Sequence, residues 1–169
     1  IKLLIKPLNQ AEQLFQLENI IILLSLGMCL AMAIYNLFLF ISTRNNQYIT
    51  YALSTLAYTF GWAAVFGVPE YGGMSGSDSW LMPSYIIGAI FSCLFYIQFL
   101  SLNKSAPKAA MALKITALLA TISLPFAFYN QGVALYLASV VTSVVLVLGL
   151  YHGINRWIKG YLPAQYFVL

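Results

Sequence analysis

Charge is what this sequence has least of: eight Lys or Arg and four Asp or Glu, together 7% of 169 residues, where soluble domains average about 25%. A soluble domain of this size needs a charged shell, so the shortage excludes one. Histidine is equally scarce, with His152 alone and no carboxylate or thiol at helical spacing to complete a metal site. It is read as a packing or interfacial histidine, with pH sensing as the open alternative. The two cysteines, Cys29 and Cys93, have no paired spacing; they are expected to pack as small apolar residues and do not fix a redox compartment. No Gly-x-Ser-x-Gly elbow, Walker glycine loop or His-Glu-x-x-His pattern occurs. No catalysis, cofactor or metal is expected of this segment.

Where the few charges fall is more informative. They leave charge-free runs at 19–43, 45–69, 79–103 and 115–155. A hydrocarbon core of about 30 Å needs roughly 20 apolar residues of helix, so each of the first three runs has room for one crossing. The fourth is long enough for two and is broken at Tyr129-Asn130-Gln131-Gly132, where polar side chains and Gly suit a turn. With 62% of residues hydrophobic, the fold class is an all-α integral membrane protein, a polytopic helical bundle. Five complete transmembrane helices are expected, near Glu18–Ser42, Gln47–Gly67, Pro83–Leu102, Ala109–Tyr129 and Gly132–Trp157, with a sixth starting after Pro163. The chain opens at Ile1 without Met and closes a few residues into an apolar segment, so it is expected to be part of something longer. Residues 1–17 read as an extracellular lead-in or the end of a sensor domain, and 18–169 as the membrane domain.

The net charge of +4 does not point to nucleic acid, because the basic residues are divided among short connections. Arg44, then Lys104, Lys108 and Lys114, then Arg156 and Lys159 fall on alternate connections, while the intervening ones carry only Glu70 and Asp78 or no charge. The positive-inside rule therefore sets the N-terminus outside the cytoplasm. Lys2 and Lys6 run against this, yet they lie well before the first span and are accompanied by Glu12 and Glu18. Lys114, about one turn inside helix four, is expected to snorkel to the interface.

No ionisable residue lies at mid-span. Such groups cost from about 2.5 kcal/mol upward in a bilayer, and ion-coupled carriers retain them for their mechanism. Gly149 and Gly153 form Gly-x-x-x-Gly, a spacing that lets helix backbones approach within one chain or between two. Pro125 removes a backbone donor within helix four and is expected to kink it. Trp80, Tyr85, Tyr129, Trp157 and Tyr161 lie near span ends, where amphipathic rings favour the headgroup zone.

At the end of helix one the chain reads Tyr35-Asn36-Leu37-Phe38-Leu39-Phe40, then Arg44, Tyr48 and Tyr51. This resembles the bacterial 7TMR-DISM family, seven-helix receptors with diverse intracellular signalling modules. Similarity continues through a Gly/Ser-rich loop, Phe95 with Phe99-Leu100, Pro107, and the 160–169 approach to helix six, and even 11–18 is similar to the family's lead-in. The resemblance implies a multi-pass receptor of the bacterial inner membrane. Its partners would be the lipid bilayer, an extracellular sensor domain and a cytoplasmic histidine kinase or diguanylate cyclase of the same longer chain, with a homodimer as a further expectation. Tyr35, Asn36, Arg44, Tyr48 and Tyr51 are then the candidate motif residues, structural or signalling. Two rivals stand beside this reading. A transporter or channel fragment would show paired broken helices and repeat symmetry, which are missing. A membrane scaffold would use the small-residue face of helix five.

Overall fold

A computed structural model describes residues 2–71, 73 and 78–164, with backbone alone at 2–12, 71, 78, 79 and 131. Among the described residues the chain is helical, without strands: α1 Lys2–Thr43, α2 Asn46–Val65, α3 Val68–Tyr71, α4 Asp78–Phe99, α5 Leu102–Ser105, α6 Pro107–Tyr129 and α7 Gln131–Ile158. The boundaries follow local chemistry. Arg44 takes a left-handed φ of 55° and its N–H donates to Phe40 O at 2.8 Å, closing α1. Asn45 then caps α2, its Oδ1 accepting from Gln47 N at 3.2 Å. Asn130 does the same for α7 through Val133 N at 3.2 Å. Pro107 opens α6 at its first turn, where a missing N–H costs nothing. At the end of α7, Gly160 at φ 83° allows Tyr161 N to reach Arg156 O and Gly160 N to reach Trp157 O. That pair of bonds is a Schellman stop.

Ring contacts fix the helix directions. Tyr51 near the start of α2 meets Phe95 near the end of α4, with ring centroids 5.2 Å apart, and Trp80 at the start of α4 meets Phe128 at the end of α6 at 5.3 Å. Successive long helices therefore run antiparallel. α4 is the central helix, packed on α2, α6 and α7; α6 and α7 pack on each other, and α1 packs along α2.

The protein is small inside and large outside. Ala89, Ala110, Ala117, Ala120, Ala127, Ala134 and Ala138 make up much of the buried core, and small residues let backbones approach where lipid tails give no hydrophobic drive for helix association. Leu118, Ile122, Phe126, Val140 and Val147 point outward. Exposed bulky apolar side chains are what a lipid-facing surface requires.

Four segments are long and apolar enough to cross a membrane: Gln13–Thr43, Trp80–Phe99, Pro107–Tyr129 and Gly132–Ile158. The expected five is not reproduced, because α2 falls outside this set. α2 is free of charge, yet Asn46, Gln47, Thr50, Ser54, Thr55 and Thr59 dilute its apolar content. Three of these side chains find partners: Thr50 Oγ1 donates to Asn46 O, Thr59 Oγ1 to Thr55 O and Ser54 Oγ to Gly88 O. The expected sixth helix lies largely outside the described residues, which include only a helical turn at 162–164.

α1 also differs from expectation. It begins at Lys2 and not near Glu18, giving one continuous helix of 42 residues. The reason is local, since 11–18 reads Ala-Glu-Gln-Leu-Phe-Gln-Leu-Glu, composed largely of strong helix formers. Pro125 lies inside α6, which runs through it as a single helix. Two of the expected interfacial aromatics have inward roles. Tyr85 packs against Gly61 of α2, and Tyr161 lies under the Arg156 guanidinium at 4.4 Å while its Oη donates to Phe99 O at 3.2 Å.

Candidate functional site

Three glycines shape the centre of the bundle, because each lets a tyrosine from another helix lie against its backbone. Tyr58 of α2 lies over Gly88 of α4, where an added Cβ would stand 2.9 Å from Cε1 and Cζ. Tyr85 of α4 lies over Gly61 of α2, with the equivalent distance 3.3 Å. Tyr96 of α4 occupies the space at Gly149 of α7 so closely that a Cβ there would overlap its ring. Gly149, singled out for helix packing, thus takes a partner from its own chain, and Gly153 is buried one turn further along α7.

Beside this interlock, α1, α2 and α4 enclose a cleft of about 510 Å³. Tyr35 and Asn36 come from α1, Gln47, Tyr48, Tyr51 and Ser54 from α2, and Ser92, Phe95, Tyr96 and Phe99 from α4. Their convergence has a simple cause. The two-residue turn at Arg44-Asn45 folds α2 back along α1, so residues some nine before Arg44 and four to seven after it meet at one level. Tyr51 tilts against Phe95 at 59°, and Phe95 stacks on Phe99 with centroids 5.1 Å apart. The lining includes no carboxylate, lysine, arginine or histidine; aromatic faces, two amides, two serines and four tyrosines are what it offers.

Of the five motif residues, Tyr35, Asn36, Tyr48 and Tyr51 share this cleft. Arg44 does not line it; it is exposed at the turn. Asn36 donates through Nδ2 to Met32 O at 2.8 Å, a bond within its own helix. A second groove of about 530 Å³ lies between α1 and α2, lined by Ile21, Ser25, Cys29, Tyr58 and Trp62 among others. Ala33, wholly buried, stands on α1 at the level of the first cleft, next to Met32 of its lining.

The floor of the cleft was not anticipated. Ser54 Oγ donates to Gly88 O at 3.1 Å and lies 2.7 Å from Ser92 Oγ. Each hydroxyl has one proton, and that of Ser54 is committed to a carbonyl. Ser92 therefore donates to Ser54. Serines in an apolar helix look unremarkable in sequence, but the i, i+4 spacing of Ser54 with Tyr58 and of Gly88 with Ser92 was a readable signal.

Among the described residues no group of His, Cys, Asp or Glu is placed to hold a metal ion. No curated protein and no solved structure matches the chain. The family described as 7TM diverse intracellular signalling, 7TMR-DISM_7TM, matches residues 18–169. That match covers α1 from Glu18, the other long helices and the whole cleft, and by it this multi-pass membrane chain belongs to the 7TM diverse intracellular signalling family.

Proposed function

We propose that this chain is the membrane region of a bacterial sensory receptor, with its N-terminus outside the cytoplasm and α2 as a further crossing. In this reading it couples an external sensor domain or ligand to a cytoplasmic kinase or diguanylate cyclase module of the same protein, and itself performs no bond chemistry. The observation that carries the proposal is the convergence of Tyr35, Asn36, Tyr48 and Tyr51 with the α4 face in one cleft. A signal has to favour one arrangement of the helices over another. A cleft bordered by α1, which packs along α2 and has only 6% of its apolar window buried, is where such a difference is most easily made. Any occupant of an uncharged, aromatic lining would be neutral and amphipathic, since a desolvated charge there would have no partner.

Among the alternatives, ion-coupled transport finds no support in a cleft lined by no acid, lysine, arginine or histidine. The test is made in the intact receptor in its native membrane. Tyr51→Ala and Asn36→Leu are expected to change the output of the cytoplasmic module while leaving membrane insertion and protein level at the parent value. Unchanged output in both, with normal insertion, would overturn the proposal.

A further inference from the structure

α7 ends at Ile158, and the chain turns back at Gly160, whose φ of 83° lets Tyr161 N donate to Arg156 O at 3.0 Å. The turn lays the Tyr161 ring under the Arg156 guanidinium, 4.4 Å from its carbon to the ring centre, an arrangement in which the ring face attracts the cation. From there the Tyr161 hydroxyl donates to Phe99 O at 3.2 Å, across 62 residues of sequence. Phe99 is the last residue of α4, and at a helix end the carbonyls lose the amide donors of the ladder. The exit from α7 thus caps the end of α4. Beyond it, Ala164 is wholly buried in the core and its N–H donates to Tyr161 O at 3.0 Å. What moves Tyr161 therefore moves the turn at 162–164 as well.

Phe99 is also where the cleft's aromatic wall ends. Tyr51 meets Phe95 with centroids 5.2 Å apart, Phe95 stacks on Phe99 at 5.1 Å, and all three line the cavity. We infer that Tyr161 is a positioning residue: its hydroxyl holds the exit from α7 against the last residue of the Tyr51–Phe95–Phe99 wall, and the state of the cleft is passed on by keeping or releasing that bond. The inference rests on the receptor reading and adds the residue that reads the cleft. Closely packed rings shift between discrete arrangements and do not deform continuously, so an occupant that tilts Tyr51 displaces Phe95 and Phe99 with it. The Phe99 carbonyl moves with the last turn of α4, and a hydrogen bond weakens steeply as its angle closes. Releasing Tyr161 frees the segment that follows α7.

The experiment uses the intact receptor with Cys29→Ser and a trifluoromethyl label on Leu162→Cys, an exposed position directly after Tyr161; Cys93 is buried out of the label's reach. Fluorine NMR reads the populations of the label beside the cytoplasmic output. Tyr161→Phe keeps the ring under Arg156 and removes the hydroxyl alone. It is expected to change the population ratio by about threefold, the factor set by an average interhelical hydrogen bond in a membrane. Tyr51→Ala, at the other end of the wall, should shift the label in the same direction in the parent and add nothing in the Tyr161→Phe background. Tyr136→Phe, an exposed tyrosine of α7, should leave both the ratio and the response to Tyr51→Ala unchanged. Additive shifts from Tyr51→Ala and Tyr161→Phe, the mark of a tyrosine that only packs, overturn the inference. So does a label that Tyr161→Phe does not move, or an output altered by Tyr51→Ala over a motionless label; all three leave the receptor reading standing. If neither Tyr51→Ala nor Asn36→Leu changes label or output, the cleft is not a signalling site and both fall together.

Discussion

The Cα of Gly88 on α4 faces the ring of Tyr58 on α2 so closely that a methyl group built there would lie 2.9 Å from two ring carbons. Real Cβ contacts do not reach that distance, so a side chain at 88 has to displace the tyrosine or the helix. Gly88→Ala is expected to destabilise the protein by about 1–3 kcal/mol, the usual range for overpacking. Gly27 on α1 has nothing within 4 Å of the same position. Gly27→Ala should be neutral or stabilising by up to about 1 kcal/mol through helix propensity. Thermal unfolding of both variants in one detergent checks the contrast, and equal midpoints would refute the notch.

The Ser54–Ser92 pair, 2.7 Å apart, lends itself to a double-mutant cycle. Ser54→Ala and Ser92→Ala should show a coupling of about 0.6 kcal/mol, and no more than about 1.7, the span found for membrane hydrogen bonds. Strictly additive losses in unfolding free energy would mean that the two hydroxyls act separately.

Arg44 has a left-handed backbone, φ 55°, a conformation that costs an L-residue roughly 1–2 kcal/mol and glycine almost nothing. Arg44→Gly should therefore raise the unfolding midpoint and Arg44→Ala should not. Measuring both separates the strain from the guanidinium. A glycine variant no more stable than the alanine variant would show that the turn carries no strain.

Cys29 is exposed and Cys93 wholly buried. In the folded protein in detergent, N-ethylmaleimide is expected to modify one thiol, placed on Cys29 by peptide mass mapping, and to reach Cys93 only in denaturant. Comparable labelling of the two under native conditions would contradict the packing of α4.

Much of this was legible in the chain. The charge-free runs expressed the bilayer's intolerance of ionised groups, and the helix limits at Thr43 and Tyr129 follow from the turn chemistry of Asn45 and Asn130. Tyr35 to Tyr51 were visible through a resemblance, yet that they share a cleft depends on how α4 is rotated, which no single-helix pattern encodes. The glycine notches were hidden for the same reason. Gly61 and Gly88 read as ordinary membrane-helix glycines until the azimuth of Tyr85 and Tyr58 is known. α2 was read by its lack of charge alone, and counting its hydroxyls would have set it apart from the other spans.

The uninterrupted run of α1 from Lys2 to Thr43 has a mechanical consequence. At about 1.5 Å per residue it is ~63 Å long, roughly twice the hydrocarbon thickness, and from Leu8 onward it holds no proline, so a rotation applied beyond Pro7 arrives at Tyr35 and Asn36 without a proline joint to absorb it. Adding one residue to such a shaft turns everything before it by about 100°, whereas adding seven nearly restores the phase. Insertions ahead of the membrane should therefore change signalling with the period of a helix turn and not with the length added.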